Sequence, residues 1–401
     1  MSARRLARTL AAPAACLAAA VLGGWLLRLA YGADPQWMLD FQVYRAGGLA
    51  VRHGAALYDV TATAEHLPFT YPPFAALVFA PFAAVSLAVS GPVSVVVNLL
   101  LLQLVVWRVL REEGTAYGWR IAATAGVALA AMWLPPVRWT LQLGQVNIAL
   151  MALVVLDLVL TARPGGRWRR WAGVGVGVAA GIKLAPGIFL LYLLLRRRYR
   201  AFATGTAAFA ATVAAGFAVV PGDSARYWGG VFLDASRTAV QVKTSEQDLR
   251  AVLVRALHGA PGVLAYWIPV AVAVLAFGMA VVVRLDRRGD PLMAVLACAG
   301  VALLVSPVSW EHHWVWAVPL AVALAVRAWT RRSVRLGALA VAVTAAVAVR
   351  PEVWGVPDPH APLHLDPVQL VWSSWLAVVT FALLVLAWAA AGQRSATSAP
   401  G

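Results

Sequence analysis

The chain has 401 residues, 62% of them hydrophobic and 12% charged, with a formal charge of +16 and a mean hydropathy of +0.76, whereas a water-soluble globule keeps its apolar fraction near half. A helix needs about 20 apolar residues to cross the hydrocarbon, so there is room for roughly a dozen crossings on short loops and none for a sizeable soluble domain; nucleotide-binding domains, coiled coils and disulfide scaffolds are excluded. The charge is no nucleic-acid signal: among the 33 basic residues only Lys183 and Lys243 are lysines, and the arginines form short clusters between apolar runs, as topology signals do.

The first apolar run, Leu10 to Leu29, follows Arg4, Arg5 and Arg8 and is long enough to read as a retained helix with a cytoplasmic N-terminus, not a cleaved signal. Further runs lie near 72–88, 93–110, 120–134, 146–162, 172–195, 201–220, 264–283, 292–305, 313–328, 336–349 and 369–390. They predict an all-α, polytopic membrane protein of about 10 to 13 transmembrane or half-membrane helices in one integral domain over 1–401. Its parts are N-terminal helices over 1–220 carrying most of the candidate site, an external loop over 221–263, C-terminal helices over 264–391 and a cytoplasmic tail over 392–401. Cys16 and Cys298 sit inside apolar runs, so no disulfide or metal cluster is expected.

Short arginine-rich loops stay in the cytoplasm. They run from Arg108 to Arg120, Arg163 to Arg170, Arg196 to Arg200, Arg284 to Arg288 and Arg327 to Arg335, with Arg394 near the C-terminus. The acids collect in the intervening segments, among them Asp40, Asp223, Asp234, Glu246, Asp248, Glu311, Asp358 and Asp366, which places the polar chemistry on the external face. Two segments then cannot cross fully. Run 172–195 has arginine clusters at both ends and must turn back near Gly181-Ile182-Lys183-Leu184-Ala185-Pro186; two halves of about 11 residues each rise only about 16 Å, leaving Lys183 at an apex. Run 72–90, with Pro72, Pro73, Pro81, Gly91 and Pro92, likewise stays on the external side. Broken helices are tolerated where they line a polar cavity or lie buried in protein.

Asp40, flanked by Trp37, Leu39, Phe41 and Val43, is a carboxylate at the interface or in a cavity, where function is the default reading; an ion pair with Arg45 or a helix cap is the plain alternative. Lys183, inside an apolar run, is neutral, paired with a carboxylate, or bound to an anion such as phosphate. His312 and His313 follow Glu311 between two spans. Adjacent residues on a helix point about 100 degrees apart and make poor joint metal ligands, so a hydrogen-bonding cluster for phosphate or sugar is favoured. Trp310, Trp314 and Trp316 serve as interface anchors. Gln142, Gln145 and Asn147 are amides suited to sugar hydroxyls or to helix contacts, and Phe69-Thr70-Tyr71-Pro72-Pro73 reads as a rigid turn. The loop from Gly222 to Gly262 is long enough for an amphipathic helix on the membrane, or its Lys243, Glu246, Gln247, Asp248 and Arg250 form a solvated face.

Taken in order, Asp40-Phe41-Gln42-Val43-Tyr44, Phe69-Thr70-Tyr71-Pro72-Pro73, Leu143-Gly144-Gln145-Val146-Asn147, Ala180-Gly181-Ile182-Lys183-Leu184-Ala185-Pro186 and Ser306-Pro307-Val308-Ser309-Trp310-Glu311-His312-His313 resemble one family. It is the actinobacterial polyprenyl-phosphate-mannose-dependent α-(1→2) mannosyltransferases, membrane glycosyltransferases of the GT-C class, and the resemblance covers about residues 35 to 325. It implies transfer of mannose from a lipid-linked phosphate donor to a glycan or glycolipid acceptor at the outer side of the plasma membrane, with the membrane lipids, and no nucleic acid, as partners. It also implies that Asp40 is the base in an inverting single displacement, that Lys183, His312 and His313 face the donor phosphate, and that Tyr44, Arg45, Tyr71, Gln145, Asn147 and Glu311 hold sugar or acceptor. No cofactor is implied, and the reaction is expected to be independent of metal. Two departures stand out: Glu311 where the family pattern has aspartate, and Thr244-Ser245-Glu246-Gln247-Asp248 in place of an Asn-Gln-Ser-type run, which puts the acceptor in question. The rival readings are a GT-C transferase using another lipid-linked sugar and a lipid or glycan transporter; the latter is disfavoured by the lack of a visible repeat and by polar residues gathered at one face.

Overall fold

The computed structural model describes residues 3–160, 167–234, 237, 243–259, 262–360 and 362–396. Arg163 and parts of the 221–263 loop and of the C-terminal tail lie outside them, as do the side chains of Arg4, Arg5, Arg8 and Arg394. The chain is almost entirely helical, in the order α1 (Ala3–Tyr31), α2 (Leu39–His53), α3 (Pro73–Ala83), α4 (Leu87–Glu112), α5 (Tyr117–Ala131), α6 (Pro135–Leu143), α7 (Asn147–Leu160), α8 (Val174–Ile182), α9 (Ile188–Leu195), α10 (Tyr199–Val219), α11 (Pro221–Trp228), α12 (Leu249–Ala256), α13 (Val263–Arg287), α14 (Pro291–Val305), α15 (Ala317–Thr330), α16 (Val334–Val349), α17 (Pro351–Trp354), α18 (Pro367–Ser373) and α19 (Trp375–Ala396). A two-residue hairpin, β1 (Thr61–Ala62) with β2 (Leu67–Pro68), joins α2 to α3. Among the described residues five helices are long and apolar enough to cross a membrane, or seven if each of two bent pairs makes one span. Four shorter apolar helices of 10–17 residues complete the set.

Ion pairs and close approaches tie the arginine-rich loops to one end of the molecule. Arg327 pairs with both Glu113 and Asp290, and Asp286 takes Arg196 and Arg198. Arg108 donates to the Val159 carbonyl at 3.0 Å, Asp157 accepts from the amides of Gly173 and Val176, and Gly173 packs against the backbone of Ala201. Asp40, Glu246, Asp248 and Glu311 lie at the opposite end. The arginine-rich loops therefore gather at one end, with Glu113, Asp286 and Asp290 among them as partners.

Run 172–195 turns back. Lys183 has extended backbone (φ −148°, ψ 128°) that stops α8, and Pro186, lacking an N–H, starts a 3-10 turn before α9. Gly173, Gly177 and Gly181 lie against Ala201, Gly205 and Thr212 in turn, so α8 runs parallel to α10. A Cβ on Gly205 meets both the Leu190 side chain and the Gly173 carbonyl, which sets α9 beside the start of α8 and completes the hairpin. The segment before α4 also stays at one end: α3 begins beside Gly216, where α10 finishes, and ends where α4 starts. Its 11 residues reach about 16 Å at 1.5 Å per residue.

The third departure from simple crossings is a sharp bend. Pro135 and Pro136 open α6 after extended Leu134, and α5 and α6 meet at 78°. The chain reverses at Gly144 (φ +71°), where a Cβ would stand 2.5 Å from that of Phe41; only glycine satisfies both the left-handed backbone and the close approach. This turn delivers Gln145 to the N-terminal end of α2.

Candidate active site

Asp40 lies in the first turn of α2, entered through Met38 in the left-handed conformation. It makes no ion pair with Arg45 among the described residues, and Met38, not Asp40, occupies the cap position. Instead Gln145 donates from Nε2 to Asp40 Oδ2 at 2.9 Å and accepts on Oε1 from the Tyr44 hydroxyl at 2.7 Å. Tyr44 is fully buried and stacks on Phe79 with centroids 4.4 Å apart; the Tyr71 hydroxyl lies 3.1 Å from its own. Lys183 Nζ stands 5.9 Å above the Tyr71 ring and 3.0 Å from His313 Nε2. One continuous cluster thus runs from Asp40 through Gln145, Tyr44, Tyr71 and Lys183 to His313. Burial pushes the Asp40 carboxyl up to about 6, while the Gln145 hydrogen bond and the Lys183 charge pull it down. That combination gives a carboxylate of raised basicity held in one rotamer, as a general base requires.

His312 and His313 sit on the 3-10 turn Glu311–Trp316, their rings 4.7 Å apart at 87°. Burial, and after it the Lys183 charge, lowers His312 to about 3 and His313 well below the usual imidazole range, so both rings are neutral and act through hydrogen bonds. Trp310 N–H donates to His313 Nδ1, which puts the ring proton on Nε2. Lys183 Nζ faces that Nε2 at hydrogen-bond distance, the donor and acceptor set by the imidazole tautomer and the lysine's protonation. His312 Nε2 is buried and makes no hydrogen bond to the described residues. The turn is held from below: Thr140 Oγ1 and Asn147 Nδ2 both donate to the His312 carbonyl, at 2.8 and 3.1 Å.

Three of the sequence-derived candidates bond to protein groups outside the Asp40–His313 chain of contacts. Arg45 donates to the carbonyls of Phe82 and Val85 and to Ser90, fixing the α3–α4 junction. Asn147 supports the histidine turn through the contact just described. Glu311 makes a bidentate pair with Arg350, at 2.8 and 3.0 Å; burial raises its carboxyl and Arg350 opposes the rise.

The run 244–248 is not a solvated face: Glu246, Gln247 and Asp248 are all buried. Glu246 bridges Trp310 in antiparallel fashion, and Gln247 N–H donates to the Ser309 carbonyl at 2.7 Å. Asp248 accepts from Ser309 and Ala251 amides, each at 2.9 Å, capping α12. Together they strap the loop that carries both histidines. Thr140, Arg350 and this strap escape a reading of the sequence, because each acts on a partner more than 35 residues away; a lone arginine ending an apolar run is the one available sign of Arg350. Among the described residues no group of three or more His, Cys, Asp or Glu is arranged to hold a metal ion.

The profile of Glycosyltransferase family 87 matches residues 69–307. A polyprenol-phosphate-mannose-dependent α-(1-2)-phosphatidylinositol mannoside mannosyltransferase of Mycobacterium tuberculosis (strain H37Rv) is 33% identical over 95% of this chain and 92% of its own length. Its counterpart in Mycolicibacterium smegmatis is 35% identical over 89% and 83%. A phosphatidylinositol pentamannoside mannosyltransferase of Mycobacterium tuberculosis (strain CDC 1551) is 35% identical over 96% and 90%. No solved structure matches the chain.

Proposed function

Because the chain belongs to glycosyltransferase family 87, we propose that it moves mannose from a polyprenyl-phosphate donor onto a glycolipid of the phosphatidylinositol-mannoside kind. The observation that carries the reading is the unbroken cluster from Asp40 to Lys183: a half-buried base at one end and a half-buried cation at the other, held apart by Gln145, Tyr44 and Tyr71. In the proposed step an acceptor hydroxyl oxygen attacks the anomeric carbon and gives its proton to Asp40. The bond from that carbon to the phosphate oxygen breaks, its electrons leave with polyprenyl phosphate, and the configuration inverts from β to α. Lys183 balances the charge growing on the leaving phosphate, and the neutral imidazoles of His312 and His313 donate hydrogen bonds to it; preorganised donors of this kind supply most of the rate enhancement in many enzymes. With a side-chain cation in that position, the reaction proceeds without metal. The arginine-rich end is the cytoplasmic one, the termini share it, and the site faces the outer side of the plasma membrane.

The test is transfer by the purified protein in detergent from radiolabelled polyprenyl-phosphate-mannose to phosphatidylinositol mannosides, with chelator present and with Asp40→Asn as control. Product that survives chelator and disappears in the variant is the expected result. Transfer from polyprenyl-phosphate-glucose but not from the mannose donor overturns the sugar assignment, and undiminished turnover by Asp40→Asn overturns the base.

A further inference from the structure

A cavity among the described residues lies beyond this cluster and meets it at Trp314 and Trp316, on the turn that carries His312 and His313. It has a volume of about 1060 Å³ and lies between α13, α14, α15, α16 and α19; none of Asp40, Tyr44, Lys183, His312 or His313 lines it. Its walls are leucine, valine and alanine almost throughout, and its charged lining, Arg288, Asp290, Arg327, Arg331 and Arg335, sits wholly at the arginine-rich end. Arg327 is committed to Glu113 and Asp290. Arg288, Arg331 and Arg335 are exposed and make no ion pair among the described residues, so three guanidinium groups rim an apolar slot whose one lining carboxylate, Asp290, is paired with Arg327.

We infer that this cavity binds an anionic phospholipid of the leaflet at the arginine-rich end, its phosphate held by Arg288, Arg331 and Arg335 and its acyl chains filling the slot. At about 1060 Å³ and with largely apolar walls, the slot has room for acyl chains. Guanidinium groups bind phosphate oxygens in pairs, and basic pockets between membrane helices on the cytoplasmic side hold anionic headgroups. The tail of the sugar donor is a poorer occupant: even where it enters beside Trp314 and Trp316, its phosphate stays near Lys183 and leaves Arg288, Arg331 and Arg335 without an anion. A lipid here would join α13 and α14 to α16 and α19, whose side chains face one another across the slot.

Full-length protein in detergent, titrated with phosphatidylglycerol or phosphatidylcholine of matched chains and read by native mass spectrometry, tests the inference. The expected result is at least tenfold preferential retention of phosphatidylglycerol, a ratio near one in the Arg288→Gln/Arg331→Gln/Arg335→Gln variant, and weakened retention of both lipids in Ala297→Phe, which fills the slot. Arg335→Gln alone, an exposed single change, serves should the triple variant not fold, and lowers the ratio at least twofold. Equal retention of the two lipids by the unaltered protein overturns the inference, as does a ratio indifferent to the arginine changes. Stoichiometric displacement of phosphatidylglycerol by polyprenyl phosphate overturns it too, because the slot would then belong to the donor path.

Discussion

Lys183 Nζ and His313 Nε2 stand 3.0 Å apart, joining the apex of the α8–α9 hairpin to a turn 130 residues further along the chain. Neither group reaches its position alone: the hairpin sets the lysine, and Thr140, Asn147 and the 244–248 strap set the histidine. Lys183→Ala and His313→Ala should each weaken binding of polyprenyl phosphate, and the double variant should lose less than the sum. Isothermal titration in detergent reads the coupling, expected at about 0.5–3 kcal/mol. Strict additivity would show that the pair does not act as a unit.

Asp40→Asn should lower the rate of transfer by about two to four orders of magnitude, the usual worth of a positioned base, while donor binding stays within a few-fold. Since burial raises the carboxyl to about 6, the unaltered enzyme should lose activity about tenfold per pH unit below that value, as the base is protonated. A folded-state value above the ordinary one means that the native protein takes up a proton on folding. Stability from this group is therefore greatest in acid and declines as pH rises toward about 6. The asparagine variant, spared that burial of charge, should melt no lower than the parent at neutral pH in differential scanning fluorimetry.

Glu246 offers a larger version of the same linkage, away from the chemistry. Burial pushes it up to about 8, with the Asp248 charge adding to the rise, so it is protonated in the folded protein near neutrality and ionised when unfolded. Its contribution should fall between about pH 4.5 and 8, by up to about 1.4 kcal/mol per unit. Glu246→Gln should flatten that part of the melting-temperature profile with transfer little changed. A profile as steep as the parent's would assign the slope to another group.

Adding one methyl group should disturb the hairpin. A Cβ at Gly177 would lie 2.2 Å from the Gly205 carbonyl oxygen, a backbone clash that only separation of α8 from α10 relieves, and overpacking of this kind costs about 1–3 kcal/mol. Gly177→Ala is expected to raise the KM for donor by tilting Lys183, together with a lower melting temperature. Parent-like values of both would mean that the seam yields elsewhere.

Much of this arrangement is legible in the sequence because it is written locally. The arginine loops, the glycine and proline around Lys183, the Gly144 turn and the amides beside it each act within a few residues of themselves. What cannot be read is long-range partnership. Arg45 has the look of a substrate ligand, yet it spends its donors on α3–α4 carbonyls, and only the packing of α2 on α3 decides that. Gln247 and Asp248 look equally suited to solvent, since nothing in five polar residues says that Ser309 and Ser373 will close over them. Glu311 finds its counter-ion in Arg350, on the far side of two helices.

The contact of Gly173 and Gly177 with the backbone of α10 has a consequence for how the site can vary. A seam of side chains can be retuned by tenths of an ångström through repacking; main chain against main chain has no such adjustable parts. The height of Lys183 is in effect a fixed rung, and a lineage that needs a differently shaped sugar or acceptor must alter the walls around the lysine and leave the lysine where it stands.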